Sequence, residues 1–337
     1  MSTPAPRAIL GLMTFGPPGG PGARIDKLDD FKKCLDYFQD QGFDEADTAR
    51  LYIHGQQEAF TAEAGWKERG LKMATKWYPI QPGMFKAETV KAMANKSLQE
   101  LKTDSVDIWY LHAADRSVPI TETLGAVNEL YKEGKFKKLG LSNFSAFEVA
   151  EAVTICIERG WVRPSIYQGC YNAITRTIET ELIPCCRRFG LDIVIFNPLA
   201  GGMLAKKYDK AEVPLKGRFS DAEGGGMGAM YRARYLKDAT FEAIQLLEPV
   251  VEGHGLTMAE TALRWCVHHS ALKAFPPGKD GIIIGVSSFK QLESNVQDLK
   301  KGPLPQAVVE ALDEAWLLVK PTAANPWHGN LDYTYQV

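Results

Sequence analysis

"FDEADTARLYIHG", residues 43–55, runs a short apolar-leaning stretch into an acid, Asp47, and sets a lone Tyr52 among polar neighbours five residues later. One strand ending on a carboxylate decides little. What decides the fold is that the other apolar runs end in the same way. "KMATKW" (72–77) leads to Lys76, "DIWYLH" (107–112) to His112, and "KKLGLSN" (137–143) to Ser142 and Asn143. The run at 166–170 reaches Gln168, and "IVIFNPL" (193–199) ends at Asn197. Six successive apolar runs therefore finish on polar or ionisable groups.

Those runs predict strands at 43–46, 71–75, 106–111, 138–141, 166–170, 193–196 and 282–286. Helices are predicted between them. Phe31, Cys34, Leu35 and Phe38 recur at the spacing of one buried helical face, as do Val90, Ala94, Leu98 and Leu101, and Leu292, Val296 and Leu299. Strands apolar on both faces, each followed by a helix, indicate a parallel sheet with helices outside. The seven units leave an eighth unplaced. At 337 residues, a single α/β unit of the (β/α)8 TIM barrel type, spanning 1–337, is the economical closure. An open doubly wound sheet is the alternative. Residues 199–235, rich in glycine and basic residues, and the tail 321–337 break the rhythm and read as long loops on the carboxyl-terminal face, where barrels carry function.

The totals narrow the class. The chain is 45% hydrophobic and 24% charged, with a formal net charge of -2, a balance that gives no reason to expect nucleic acid or an acidic membrane as a partner. No apolar run approaches the ~20 residues of a membrane span, and the amino terminus lacks the pattern of a signal peptide. The six cysteines form no CxxC pair and no metal-ligand spacing, so a reduced, cytoplasmic location and no metal are expected. The pair His268-His269 reads as a helix end.

In a barrel the active site is built at the carboxyl ends of the strands, which is where these polar residues stand. Singly each has a plain explanation: an Asp caps a helix, a Lys is solvated, a His is satisfied, a Tyr plugs a surface. Together they make a coherent set. A phenol with an ordinary pKa near ~10 is a reluctant proton donor, and a nearby ammonium is expected to lower that value. Lys76 needs a counter-charge when buried, which Asp47 supplies. His112 donates to a substrate carbonyl and holds it against Tyr52. Such a site delivers a proton but needs a hydride from elsewhere, which implies a nicotinamide cofactor. No GxGxxG follows a strand here. "GPPGGPG" (16–22) and "GGGMG" (224–228) lack that context and read as loops.

The chain resembles the aldo-keto reductase superfamily, and within it the aflatoxin-aldehyde (succinic semialdehyde) reductase family, over roughly residues 8 to 320. The likeness is carried by "EADTARLYIHGQQE" (45–58), "KFKKLGLSNFSAFEVAE" (135–151), "YQGCYNAITRTIETEL" (167–182), "FNPLAGGMLAKKY" (196–208) and "SSFKQLESNV" (287–296). It implies a (β/α)8 barrel that binds NADP(H) without a Rossmann domain, reduces a small-molecule carbonyl substrate, and forms a homodimer. The catalytic set falls on Asp47, Tyr52, Lys76 and His112, with Tyr52 as proton donor. Ser142, Asn143 and Gln168 match the residues that bind the nicotinamide carboxamide. The pyrophosphate segment falls on Asn197, Pro198, Leu199, Ala200, Gly201, Gly202, Met203, Leu204 and Lys207. Arg218, with Ser287, Ser288, Lys290, Gln291 and Asn295, resembles the grip on the adenosine and its 2′-phosphate, where a helix start welcomes anions. Substrate contacts are implied for Met13, Tyr52 and His112, and for Tyr231 and Arg234 within "MYRARY" (230–235). The family pattern ends in an Arg that binds an acid group, whereas this chain has no Arg after Arg264. Aromatic or dicarbonyl aldehydes are therefore expected in place of succinic semialdehyde. The superfamily also offers a regulatory cofactor-binding subunit of the potassium-channel β type, and the reverse oxidation of alcohols by NADP+.

Overall fold

The strands of the computed structural model, which describes residues 6–205, 208, 212–222, 226–276 and 278–335, close on themselves. They are β1 (Ala8–Gly11), β2 (Glu45–Asp47), β3 (Lys72–Trp77), β4 (Val106–Leu111), β5 (Phe136–Ser142), β6 (Pro164–Cys170), β7 (Asp192–Phe196) and β8 (Gly281–Gly285). Each pairs in parallel with its sequence neighbours. The pairing of Ala8 to Gly11 with Ile282 to Gly285 seals the ring. This is a (β/α)8 barrel. That closing pair removes the open-sheet alternative, and β1 is the eighth strand. Its four residues, "AILG", follow no helix and carry no alternation to read.

The helices around the ring begin with α1 (Leu28–Asp40), α2 (Gln57–Glu63), α3 (Ala87–Glu100), α4 (Ile120–Lys132), α5 (Ala146–Glu158) and α6 (Leu182–Phe189). They continue with α7 (Gly228–Tyr235), α8 (Asp238–Gly253), α9 (Met258–His268), α10 (Phe289–Leu299) and α11 (Gln306–Val319). The predicted apolar faces of α1, α3 and α10 are the buried ones, with Leu101 capping α3. His268 ends α9. Five of the six cysteines are buried and Cys185 is half-buried; all six are free.

Alternation along the strands separates two cores. Met73, Trp77, Trp109, Leu111 and Tyr167 face the helices. Ile9, Ala74, Ile108, Tyr110, Ile166, Val194 and Ile283 fill the barrel interior. Since side chains alternate with period two, Lys76 takes the inward side with Ala74, and Gln168 with Ile166. His112 and Ser142 continue the inward rows of β4 and β5. Asp47 points inward because Ala46 belongs to the outer core. Gly140 is required beneath this layer: a Cβ there would run into the Tyr110 ring. The register thus gathers polar residues from five strands onto one rim.

Several expected boundaries shift. β3 runs two residues beyond the predicted end, so Lys76 is its penultimate residue. Gln168 lies inside β6, two residues before its end, and pairs in register with Ser142. Residues 199–235 are not all loop. Ala200–Gly202 forms a short 3-10 turn, and 228–235 forms α7. That helix is stable because Tyr231 and Tyr235, one turn apart, pack with Phe219. Arg232 and Arg234 stand in its last turn, where cations favour the helix dipole. Lys207 and residues 224–225 of the glycine-rich run lie outside the described residues. The described part of the tail beyond Thr322, up to residue 335, folds back over the rim.

Candidate active site

Asp47, the last residue of β2, is buried, and so is Lys76 on the neighbouring strand. The ammonium pairs with Asp47 Oδ1 and donates to the Thr48 carbonyl at 2.8 Å. The other carboxylate oxygen accepts from Gln168 Nε2 at 2.8 Å, a bond that crosses the barrel from β6 to β2. The carboxylate is thus held from two sides, and no helix is capped by it.

Tyr52 opens a turn, Tyr52–Gly55, in which Ile53 and His54 both adopt left-handed backbone at φ 50°. Lys76 Nζ sits 5.2 Å from the centroid of the Tyr52 ring. The His112 ring stands edge-on to Tyr52, with centroids 6.2 Å apart. The expectation of a phenol acidified by the ammonium is overturned. Burial pushes the Tyr52 pKa well above its ordinary value, and Asp47 and Tyr231 add to this; Arg218 opposes it. The low dielectric around the phenol penalises the phenolate, and the Asp47 carboxylate adds to that penalty. Burial also lowers the Lys76 pKa against the pull of Asp47. His112 is driven well below the usual imidazole value by burial, then by Lys76 and His328. Around neutral pH the rim therefore holds a protonated phenol and an uncharged imidazole.

Asn143, just past β5, and Asn197, just past β7, carry φ of 56° and 59° and turn the chain outward; Asn tolerates this region. Asn143 Nδ2 donates to the His112 carbonyl at 2.9 Å and to Ser142 Oγ at 3.0 Å. Its Oδ1 is buried with no partner among the described residues. A buried acceptor left open is costly unless a ligand N–H fills it. A primary carboxamide such as that of nicotinamide matches this need, so the residues present fit such a group. His112 Nδ1 is buried and open in the same way.

The other predicted residues divide. Beyond Asn197 and Pro198 the chain turns tightly: the Ala200 amide donates to the Asn197 carbonyl and the Leu204 amide to Leu199. Gly201 and Gly202 carry φ of 68° and 106° there, and Ala200, Met203 and Leu204 are buried. Tyr231 donates to Asn197 Oδ1 at 3.3 Å. Arg218 stacks on the Tyr231 ring at 5.4 Å and acts on Tyr52 through its charge. Among the described residues no contact joins it to the run at 287–295. In that run Ser288 caps α10 and Asn295 is buried. The Ser287 amide and hydroxyl both donate to Gln291 Oε1 at 2.8 Å, while Lys290 is exposed. Met13 is half-buried in the turn after β1.

Two rim residues escaped the sequence reading. Tyr78 directly follows β3, and its ring stands edge-on to His112 at 5.3 Å. It stands one residue past a strand end, as His112 and Asn143 do. His328 comes from the tail and touches Tyr78 and Arg234. No local pattern announces it.

The family model described as Aldo/keto reductase family matches residues 7–317. An aldo-keto reductase of Pseudocercospora fijiensis is 44% identical over 86% of this chain and 98% of its own length. Human aldo-keto reductase family 7 member A3 is 43% identical over 96% of this chain and 98% of its own. Rat aflatoxin B1 aldehyde reductase member 2 is 40% identical, covering 96% and 90%.

Proposed function

The chain belongs to the aldo/keto reductase family and is an oxidoreductase, and from this we propose that it reduces aldehydes and other reactive carbonyls, aromatic or dicarbonyl, with NADPH. The observation that carries the reading is the convergence, on one barrel rim, of a protonated Tyr52, an uncharged His112 and a buried Asp47–Lys76 pair. When bound, a reduced nicotinamide supplies the hydride that adds to the carbonyl carbon. Tyr52 releases its proton to the carbonyl oxygen, so carbonyl, hydride and proton together give the alcohol. A protonated phenol suits this task, since a donor must hold its proton until charge develops on the oxygen. His112, being neutral, donates a hydrogen bond to that oxygen and does not compete as an acid. Lys76 and Asp47 hold a fixed ion pair at the base of the site, and the cation stabilises the tyrosinate left after transfer. Asn143 Oδ1, Ser142 and Gln168 are the residues to hold the carboxamide. The turn from Asn197 to Leu204 presents backbone to the pyrophosphate. Arg218, Ser287, Ser288, Lys290, Gln291 and Asn295 bind the adenosine phosphate, while Met13, Tyr231 and Arg234 contact substrate.

The test is NADPH consumption with 4-nitrobenzaldehyde, followed at the near-UV band of the reduced cofactor. Tyr52→Phe is expected to lower turnover by about 10²–10⁴-fold, the usual contribution of a positioned acid. Equal traces for the two proteins across a panel of aldehydes would remove the reading.

A further inference from the structure

We propose that His328, carried onto the rim by the carboxyl-terminal tail, is a specificity-determining residue: it occupies Arg234 and so favours uncharged carbonyl substrates over those bearing a carboxylate. This rests on the reductase reading above for its substrates, but not for its geometry.

Arg234 Nη2 lies 3.4 Å from His328 Nε2. A guanidinium can only donate, so Nε2 must be the accepting nitrogen and the imidazole proton resides on Nδ1. That places the Nδ1 proton toward Tyr78 Oη, 3.2 Å away. The tautomer follows from the two partners, and the ring is uncharged. Burial, with Arg234 and Arg116 nearby, keeps it so by lowering its pKa to about 4.

Arg234 has no carboxylate partner among the described residues. Its surroundings are Cys170, Tyr235 and Tyr231, with a large part of its surface removed from water. A half-buried guanidinium without an anion is a ready carboxylate receptor, because charge-assisted bonds are about twice as strong as neutral ones. The Tyr235 hydroxyl and the imidazole are its polar partners, and neither adds charge. An anionic substrate must displace that imidazole, whereas a neutral one leaves it in place.

The tail is seated firmly enough for this exclusion to matter. The His328 amide donates to the Asn143 carbonyl at 3.3 Å, and the His328 carbonyl accepts from Arg116 Nη1 at 2.7 Å. Arg116 in turn forms a buried two-point pair with Glu148 at 2.7 and 3.0 Å. Tyr333 donates to the same carboxylate at 2.7 Å. Glu148 also closes the capping box of α5 with Ser145. His328 is therefore referenced to the same strand end that carries Ser142 and Asn143. Tyr78 separates it from His112 by one ring.

The experiment measures benzoate binding by calorimetry to the full chain, His328→Ala, and the double variant His328→Ala/Arg234→Gln. Benzoate affinity is expected to rise about tenfold or more in His328→Ala, the worth of one bond to a charged group, and to fall back in the double variant. His328→Gln, which keeps an acceptor for Arg234 and a donor for Tyr78, is expected to stay near the original affinity. In turnover, the kcat/KM ratio of 4-carboxybenzaldehyde to 4-nitrobenzaldehyde is expected to rise in His328→Ala through KM. Unchanged benzoate affinity in His328→Ala, or a gain that persists without Arg234, overturns the proposal. Because binding needs no turnover, failure of the reductase reading shows separately, as inactivity toward both aldehydes.

Discussion

Lys76 and His112 set the electrostatics of the rim between them. Lys76 is fully buried, and its neutralisation by Asp47 is what lets a cation exist there at all. Burial, with the fields of Lys76 and His328 added, keeps His112 uncharged. A pH prediction follows at this scale. Neither His112 nor His328 titrates near the ordinary imidazole value of 6.5, since both are lowered. The profile of kcat/KM is therefore expected to lack an imidazole limb between about pH 6 and 7, in contrast to a solvated histidine. The same shift bears on stability. Below 6.5 the unfolded chain takes up protons on this histidine, whereas the folded one does not until about 4. Stability linked to His328 is thus complete above 6.5 and is lost as pH falls toward 4. Arg234, Arg116, Tyr78 and His112 all face this ring, and none is an anion that would rescue the protonated form. Release of the tail on acidification is readable from the fluorescence of Trp327 and is expected to vanish in His328→Ala. An acid transition identical in both proteins would refute it.

At the scale of the element, the turn that aims Tyr52 is strained and braced. Left-handed backbone is costly for a β-branched residue such as Ile53, on the order of 1–2 kcal/mol. The strain persists because Arg50 bonds both the Gly55 carbonyl and Glu58, and its own amide donates to the Lys76 carbonyl at 3.0 Å. Glu58 is tied to β3 through Thr75 Oγ1 at 2.6 Å. The phenol and the ammonium thereby share one frame. Arg50→Ala leaves Glu58 buried without its cation, a loss of about 3–5 kcal/mol, and lets the turn relax. Urea unfolding is expected to show the destabilisation. Kinetics of the folded variant are expected to show kcat falling more than KM rises, since the Arg50 guanidinium is turned to Gly55 and Glu58. A variant with full kcat would show that the turn holds without its brace.

On the scale of the whole molecule, the proposed cofactor contacts span the barrel mouth, from Ser142, Asn143 and Gln168 on β5 and β6 to the start of α10 beyond β8. Arg218 stacks on Tyr231 and Lys290 stands exposed on α10. If either grips the 2′-phosphate, its replacement by Ala weakens NADPH and spares NADH. The expected loss is about tenfold at low salt and less at high salt, because an exposed charge is screened. Fluorescence titration of both cofactors checks this, and an unchanged NADPH to NADH ratio in both variants would free both residues from the phosphate.

The sequence by itself determined the alternation of strand and helix, because period-two and helical spacings are local properties that each segment carries. It also marked Asp47, Lys76, His112, Ser142, Asn143, Gln168 and Asn197 as a set, because strand ends can be read from where apolar runs stop. The short β1 left no such trace, and only its pairing with β8 showed that the sheet closes. Register, not spacing, set Gln168 level with Ser142 and across the barrel from Asp47. The direction of the Tyr52 pKa was decided by burial, which no linear pattern reports. His328 meets Tyr78 from 250 residues away. Its place depends on the Arg116–Glu148 pair that receives the tail, and a contact of that kind exists only once the chain has folded around it.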